Sequence, residues 1–436
     1  MRSIKLGLIG FGTVGSAVYT VLNRNREDIK CRLGHDFQLS SICIRNQKRA
    51  ALFVDSSVRV CSDPREVINS DVDIVIEVIG GTDSAKSIIE KSLKNKKHVV
   101  TANKELIALH GRQLFEIAEN NEVMLLYEAA VAGGVPIIKS IREGLSANQI
   151  TLVAGIINGT TNYILTEMQK SRSNFKDVLN IAIKKGYAEQ DPTYDVEGID
   201  AAHKLAIIAS LSFGVEINYQ TVYCEGISNI DLKDIDYAEK FGYRIKLLGI
   251  AKLTQSGIEL RVHPTLVPHE NLMANVDGAM NGIMVYGDAV GPTIFYGQGA
   301  GGEATASSVI SDIIDICRLS SANSENYVPY TAYRINKHSI PVLPIDDTRA
   351  SYYLRLAVKD QVGVMAKITK LLAALSISIE AMYQGEQIGG GSSVEVVIIS
   401  HETVERDINA AISKIQHLDF VEGPIKLLRI QDLGLK

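Results

Sequence analysis

A strand-like run, Ile4-Lys5-Leu6-Gly7-Leu8-Ile9, passes directly into Gly10-Phe11-Gly12-Thr13-Val14-Gly15 and then into an amphipathic helical run. Glycine at the first position permits a tight turn, at the second lets backbone approach a pyrophosphate, and at the third lets helix and strand pack closely. The helix N-terminus then faces the phosphates. In this strand–turn–helix context the loop Gly10–Gly15, including Phe11, Thr13 and Val14, predicts a dinucleotide-binding domain.

Further short apolar runs follow at Phe37–Ile44, Val58–Cys61, Asp73–Ile79, His98–Thr101 and Val123–Tyr127, alternating with helical patterns. Continuous apolar strands between helices belong to a parallel sheet buried on both faces. The fold class expected is therefore α/β, with a Rossmann-like doubly wound sheet over residues 1–132. Residues 133–322 mix longer strands (Ile150–Ile157, Ile258–Val267) with amphipathic helices and predict an α+β domain. The helix-like run Ala304 to Arg318 is expected to return to the first domain. Residues 323–348, with three prolines and little periodicity, read as a linker. From 349 to 436 the pattern strand, helix, strand, strand, helix, strand predicts a ferredoxin-like module.

A length of 436 residues suits two or three domains, and 46% hydrophobic with 22% charged residues is the composition of a folded globular chain. A net charge of −5 supplies no basic field for nucleic acid or anionic lipid, and no apolar run reaches the roughly 18 residues of a membrane span. With only Met1-Arg2-Ser3 ahead of the first strand, no export signal is expected. The five cysteines are scattered and without a Cys-x-x-Cys pair, as in reduced core thiols, and the nine histidines lack metal-ligand spacing. A cytoplasmic enzyme is expected.

After the second strand, where an NAD enzyme places an acid on the ribose 2′-hydroxyl, the chain reads Ile44-Arg45-Asn46-Gln47-Lys48-Arg49. Cations here favour a 2′-phosphate, so NADP is expected ahead of NAD; a solvated basic turn is the alternative. A second cluster, Ala188-Glu189-Gln190-Asp191-Pro192 followed by Asp195, Gly198, Asp200 and Lys204, crowds acids, a lysine and chain-bending residues together. Asp200 and Lys204 share a helix face at i,i+4 spacing, which alone reads as a surface salt bridge worth about 0.3–0.5 kcal/mol.

These blocks, with Thr101-Ala102-Asn103-Lys104, Glu128 to Pro136, Asn158-Gly159-Thr160-Thr161-Asn162-Tyr163-Ile164-Leu165 and Gly186-Tyr187-Ala188-Glu189, resemble the homoserine dehydrogenase family over essentially the whole chain. The C-terminal module resembles an ACT domain. Ala304 departs from the proline usual in the family.

The resemblance implies NAD(P)-dependent interconversion of L-aspartate 4-semialdehyde and L-homoserine, on the route to threonine, methionine and isoleucine. Reducing an aldehyde by hydride transfer creates an alkoxide, which needs a positioned proton donor. Lys204 is the candidate donor. Matching positions imply substrate binding by Glu189 and Asp200, contact of Lys104 with cofactor and substrate, and cofactor contacts at Gly186 and Gly302. They also imply a sodium or potassium ion on Glu128 and the carbonyls of Val131, Gly133 and Val135; a buried carboxylate satisfied by backbone amides is the plainer alternative. The ACT resemblance implies an effector turn at Asp360, Gly363 and Val364, with threonine as effector, and the family implies a homodimer or homotetramer. An aspartate semialdehyde dehydrogenase is disfavoured because no cysteine sits in an active-site context. A cofactor-binding sensor is disfavoured by the presence of both Lys104 and Lys204.

Overall fold

The structure is a computed structural model that describes residues 3–45, 54–216, 218–319, 327–334, 340–387 and 393–434. The principal elements, in chain order, are β1 (Ile4–Ile9), α1 (Thr13–Arg24), β2 (Phe37–Cys43), β3 (Arg59–Cys61), β4 (Ile74–Glu77), β5 (His98–Thr101), α2 (Lys104–Asn120), β6 (Leu125–Leu126), β7 (Ile150–Ile156), α3 (Gly159–Ser171), α4 (Phe175–Lys185), α5 (Ile199–Phe213), β8 (Tyr223–Cys224), α6 (Leu232–Lys240), β9 (Tyr243–Leu253), β10 (Ile258–Pro268), β11 (Met280–Gly287), β12 (Gly291–Gln298), α7 (Gly302–Leu319), β13 (Arg349–Lys359), α8 (Val364–Ala374), β14 (Ile379–Gln387), β15 (Ser393–Ser400), β16 (Thr403–Val404), α9 (Glu405–Gln416) and β17 (Val421–Ile430).

The chain packs as two units that cut across the sequence-ordered domains. The first comprises residues 1–159, 200–221 and 279–340, the second 160–199, 222–278 and 341–436.

In the first unit a six-stranded sheet runs β3-β2-β1-β4-β5-β6 with every pairing parallel. This is the doubly wound order, whose direction reverses at β1 and β4, so ligands collect beyond the carboxyl ends of those strands. Leu6, Leu8, Ile74 and Ile76 are fully buried, as strands covered on both faces require. Helix α7 joins this core: Ala306, Val309, Ile310, Ile313 and Ile316 form its buried stripe and share one cluster with Leu6, Val18 and Ile42. A separate antiparallel group, β7-β11-β12, follows β6. Residues 327–334, inside the stretch read as a linker, are anchored here: Tyr127 donates to Tyr330 O at 2.8 Å, and the Tyr330 ring stacks on Phe115.

In the second unit β9 and β10 form a long hairpin, with β8 pairing β10. The C-terminal module has the expected order, β13, α8, β14, β15, α9, β17, with the short β16 added. Alternate residues Tyr352, Leu354, Leu356 and Val358 of β13 bury against Ile368, Leu372, Ile408 and Ile415 of the two helices. The module is not free-standing. Thr265 and Leu266 of β10 pair in parallel with Arg429 and Ile430 of β17, so its sheet continues into the hairpin. Val342, inside the expected linker, bridges Ile258.

Candidate active site

The glycine loop has the geometry its sequence implies. Gly10 adopts φ +104°, and a Cβ there would lie 2.7 Å from Val78 O. A Cβ on Gly15 would sit 2.0 Å from Gly10 O, so α1 packs on its strand only without a side chain. At Gly12 a Cβ would meet nothing within 4 Å, leaving open space above the amides that begin α1. That cradle fits a pyrophosphate. Gly302 starts α7 against the same end of α1, where its Cβ would be 3.1 Å from Thr13 O. Arg24 and Glu303 tie the two helices with a pair of 2.9 Å hydrogen bonds. Gly10 N donates to Cys43 O, which sets the end of β2 beside the loop. Arg45 is exposed just beyond it; Asn46, Gln47, Lys48 and Arg49 lie outside the described residues.

The chemical centre of this unit is one carboxylate. Asp200 is 3% exposed, and its Oδ2 accepts from Lys204 Nζ at 2.7 Å and from Asn158 Nδ2 at 2.9 Å. Its Oδ1 lies 2.9 Å from Lys104 Nζ. Burial alone would raise the Asp200 carboxyl, but the ammonium groups of Lys204 and Lys104 outweigh it and hold the group well below its ordinary 3.8. Lys204 also donates to Ile157 O at 2.7 Å. An ammonium has three N–H donors, so one remains for a further oxygen.

A network that sequence reasoning missed fixes Lys104. Glu77, fully buried at the end of β4, accepts from Ile79 N at 2.8 Å and from Thr101 Oγ1 at 2.7 Å. Thr101 Oγ1 accepts from Asn103 N, and Asn103 Oδ1 caps α2 at Leu106 N. Burial pushes the Glu77 carboxyl up. The clue was an acid ending an otherwise apolar strand. Asn158, named above only within a block that carries the family resemblance, donates to Asp200 and helps to hold it.

Glu128 is 3% exposed, and its two oxygens accept from Ile138 N at 3.0 Å and Lys139 N at 2.7 Å, the plainer of the two arrangements expected. Each carboxylate oxygen keeps a lone pair. Gly133 O accepts from Ser308 Oγ, and Val131 and Val135 are buried nearby in the chain. Among the described residues no cluster of three or more His, Cys, Asp or Glu side chains forms a metal centre.

In the second unit Glu189 is exposed, and Asp191 Oδ1 accepts from Thr193 N and Thr193 Oγ1. Gly186 is the left-handed C-cap of α4 at φ +77°, which gives its glycine a structural reason of its own. Thr160 donates to Tyr187 O at 2.7 Å, tying α3 to this turn. In the C-terminal module Asp360 and Gly363 are exposed on the turn before α8, Gly363 is its N-cap at φ +88°, and Val364 is the first helical residue.

A cavity of about 690 Å³ in the first unit, lined by Phe115, Leu211 and Tyr330, includes none of Gly10, Lys104, Asp200 or Lys204. Among the described residues no helix is long and apolar enough to cross a membrane. Cys43, Cys61 and Cys317 are buried and Cys31 and Cys224 exposed, all as free thiols.

Family profiles described as "Homoserine dehydrogenase, NAD binding domain", "Homoserine dehydrogenase" and "ACT domain" match residues 10–128, 136–314 and 352–419. The chain is 48% identical to a homoserine dehydrogenase of Neisseria gonorrhoeae over 99% of this chain and all of that one. It is 46% identical to that of Pseudomonas aeruginosa over the full length of both. A crystal structure of a homoserine dehydrogenase from Thiobacillus denitrificans superposes with a TM-score of 0.94 at 47% identity, covering 99% of each chain. A hyperthermophilic archaeal homoserine dehydrogenase in complex with NADPH is 25% identical with a TM-score of 0.62, covering 74% of this chain and 99% of that one. With a nucleotide-binding loop, a buried carboxylate gripping two lysines and a C-terminal ACT domain, this chain belongs to the homoserine dehydrogenase family.

Proposed function

We propose that this dehydrogenase interconverts L-aspartate 4-semialdehyde and L-homoserine with NADP preferred over NAD, in the route to threonine, methionine and isoleucine, and that threonine restrains it through the ACT domain. The observation that carries the reading is the Asp200 carboxylate held between Lys204 and Lys104.

Gly10–Gly15 and the N-terminus of α1 would hold the pyrophosphate of NADPH, Arg45 would pair with its 2′-phosphate, and the bound cofactor would supply the hydride. Lys204 directs its remaining N–H at the aldehyde oxygen and passes a proton to it as the alcohol forms. In the oxidation Lys204 Nζ takes that proton back. Asp200 orients the lysine; Lys204 and Lys104 keep Asp200 ionised, and Asn158 holds it still. Lys104 adds positive charge where the oxygen becomes anionic. Glu189, an exposed carboxylate, suits the substrate's ammonium, a role resting on its family position and its chemistry. Glu128 and the carbonyls of Val131, Gly133 and Val135 are all oxygen donors, which suits sodium or potassium in a structural role.

Oxidation of NADPH with aspartate semialdehyde, repeated with NADH, tests the reaction and the preference together. A protein that binds NADPH without oxidising it contradicts the reading. Activity unchanged when both alkali cations are replaced by tetramethylammonium contradicts the cation assignment.

A further inference from the structure

We propose that Arg429, on the last strand of the ACT domain, is a positioning residue for the turn that leads into Asp200. The proposal rests on reading the 186–200 segment as substrate-binding. Arg429 is 4% exposed and its guanidinium is shared between two places. Inside the ACT domain Nε donates to Glu405 Oε2 at 2.9 Å and Nη2 to Glu405 Oε1, and Tyr352 donates to the same carboxylate. Outside it Nη1 donates to Glu225 Oε2 at 2.8 Å and Nη2 to the Tyr223 hydroxyl at 3.2 Å. The guanidinium carbon lies 5.1 Å from the centre of the Tyr223 ring.

Tyr223 and Glu225 flank Cys224, and the other side of this short segment grips the substrate turn. Cys224 Sγ donates to Glu197 O at 3.2 Å, Ile227 N donates to Val196 O at 2.8 Å, and Ser228 Oγ donates to Glu197 Oε1. A Cβ on Gly226 would lie 2.4 Å from Val196 O, and one on Gly198 would lie 3.0 Å from Cys224 Sγ. Residues 223–228 are thus a splint one layer thick, with the ACT arginine on one side and residues 196–198 on the other. Contacts this close leave no slack, so a shift of β17 displaces the backbone immediately before Asp200. Such a link gives the ACT domain a physical route to substrate affinity.

A matched control lies in the same module. Arg355 pairs with Asp234 at 2.8 Å and Asp231 at 2.7 Å, joining the ACT sheet to α6. Its hydrogen bonds reach Asp231, Asp234 and Glu395.

The full-length variants Glu225→Gln, Arg429→Lys, Tyr223→Phe and Arg355→Lys are compared for KM of homoserine, KM of NADP, kcat and Tm. The first three are expected to raise the homoserine KM about 2- to 30-fold while kcat and the cofactor KM stay near wild type. Arg355→Lys should lower Tm without moving that KM. If Arg429→Lys fails to fold, Glu225→Gln, which removes the charge facing Arg429, and Tyr223→Phe, which removes the hydroxyl between Arg429 and Glu225, carry the test. An unchanged homoserine KM in Glu225→Gln and Tyr223→Phe, or an equal rise in Arg355→Lys, overturns the proposal. Glu189→Gln separates the premises: raised KM there with none in Glu225→Gln removes the link alone, while no effect of Glu189→Gln removes the substrate reading of the turn.

Discussion

Lys104 and Asp200 meet Nζ to Oδ1 at 2.9 Å, joining the start of α2 to the start of α5. Lys204 occupies the other oxygen of the same carboxylate, so two cations share one anion. The excess positive charge is pinned in place before substrate arrives. A fixed charge costs no reorganisation when an oxyanion develops, which makes this pairing more useful than a free lysine would be.

Lys204→Met is expected to fold and bind NADPH but to lose about 10²- to 10⁴-fold in kcat. Asp200 keeps Lys104 and Asn158, so the loss should be chemical rather than structural. Steady-state turnover and cofactor fluorescence measure the two parts. Near-normal kcat would pass the donor role to Lys104.

Asp200 also predicts an acid-side stability change. Its folded-state carboxyl is held below 3.8, so ionisation stabilises the fold fully above that value and the benefit is lost as pH falls through the folded-state pKa. Asp200→Asn lacks this contribution. Urea unfolding should give a stability difference between wild type and variant that is constant above about pH 5 and shrinks below pH 3.8. A difference that stays constant down to pH 2 would mean the lysines do not stabilise the carboxylate.

What was legible in the sequence is what short-range spacing encodes. Gly10–Gly15 lies between a strand and a helix it adjoins, and Asp200 and Lys204 sit one helical turn apart. The run from Tyr352 to Val358 likewise reads as a strand from its own residues. Contacts closing across long stretches of chain have no such local mark. Lys104 on Asp200, Glu77 on Thr101 and β17 on β10 appear only when distant strands and helices pack. Gly186 shows the converse: family position suggested a cofactor contact, while a helix C-cap already explains the glycine.

Arg45→Asp should lower the ratio of kcat/KM for NADPH over NADH. A charge-assisted hydrogen bond is worth enough to predict a change of about ten- to a hundredfold. The exposed position just beyond β2 makes folding insensitive to the substitution. An unchanged ratio would show a merely solvated side chain.

Threonine control is best tested by a point substitution, because the ACT domain cannot be removed cleanly. Deleting residues 349–436 would strip β17 from β10 and leave Glu225 without Arg429, so loss of soluble, folded protein is expected. Asp360 offers a milder probe. It is exposed on the turn before α8, where its Oδ1 accepts from Gln384 Nε2 at 3.3 Å and Gly363 opens the helix N-terminus. A carboxylate beside free helix amides can hold the ammonium and carboxylate of one amino acid. Asp360→Ala should leave uninhibited turnover unchanged and weaken threonine inhibition about 5- to 150-fold, the span of typical allosteric couplings. Inhibition curves for the two proteins that superimpose would place threonine at the active site instead.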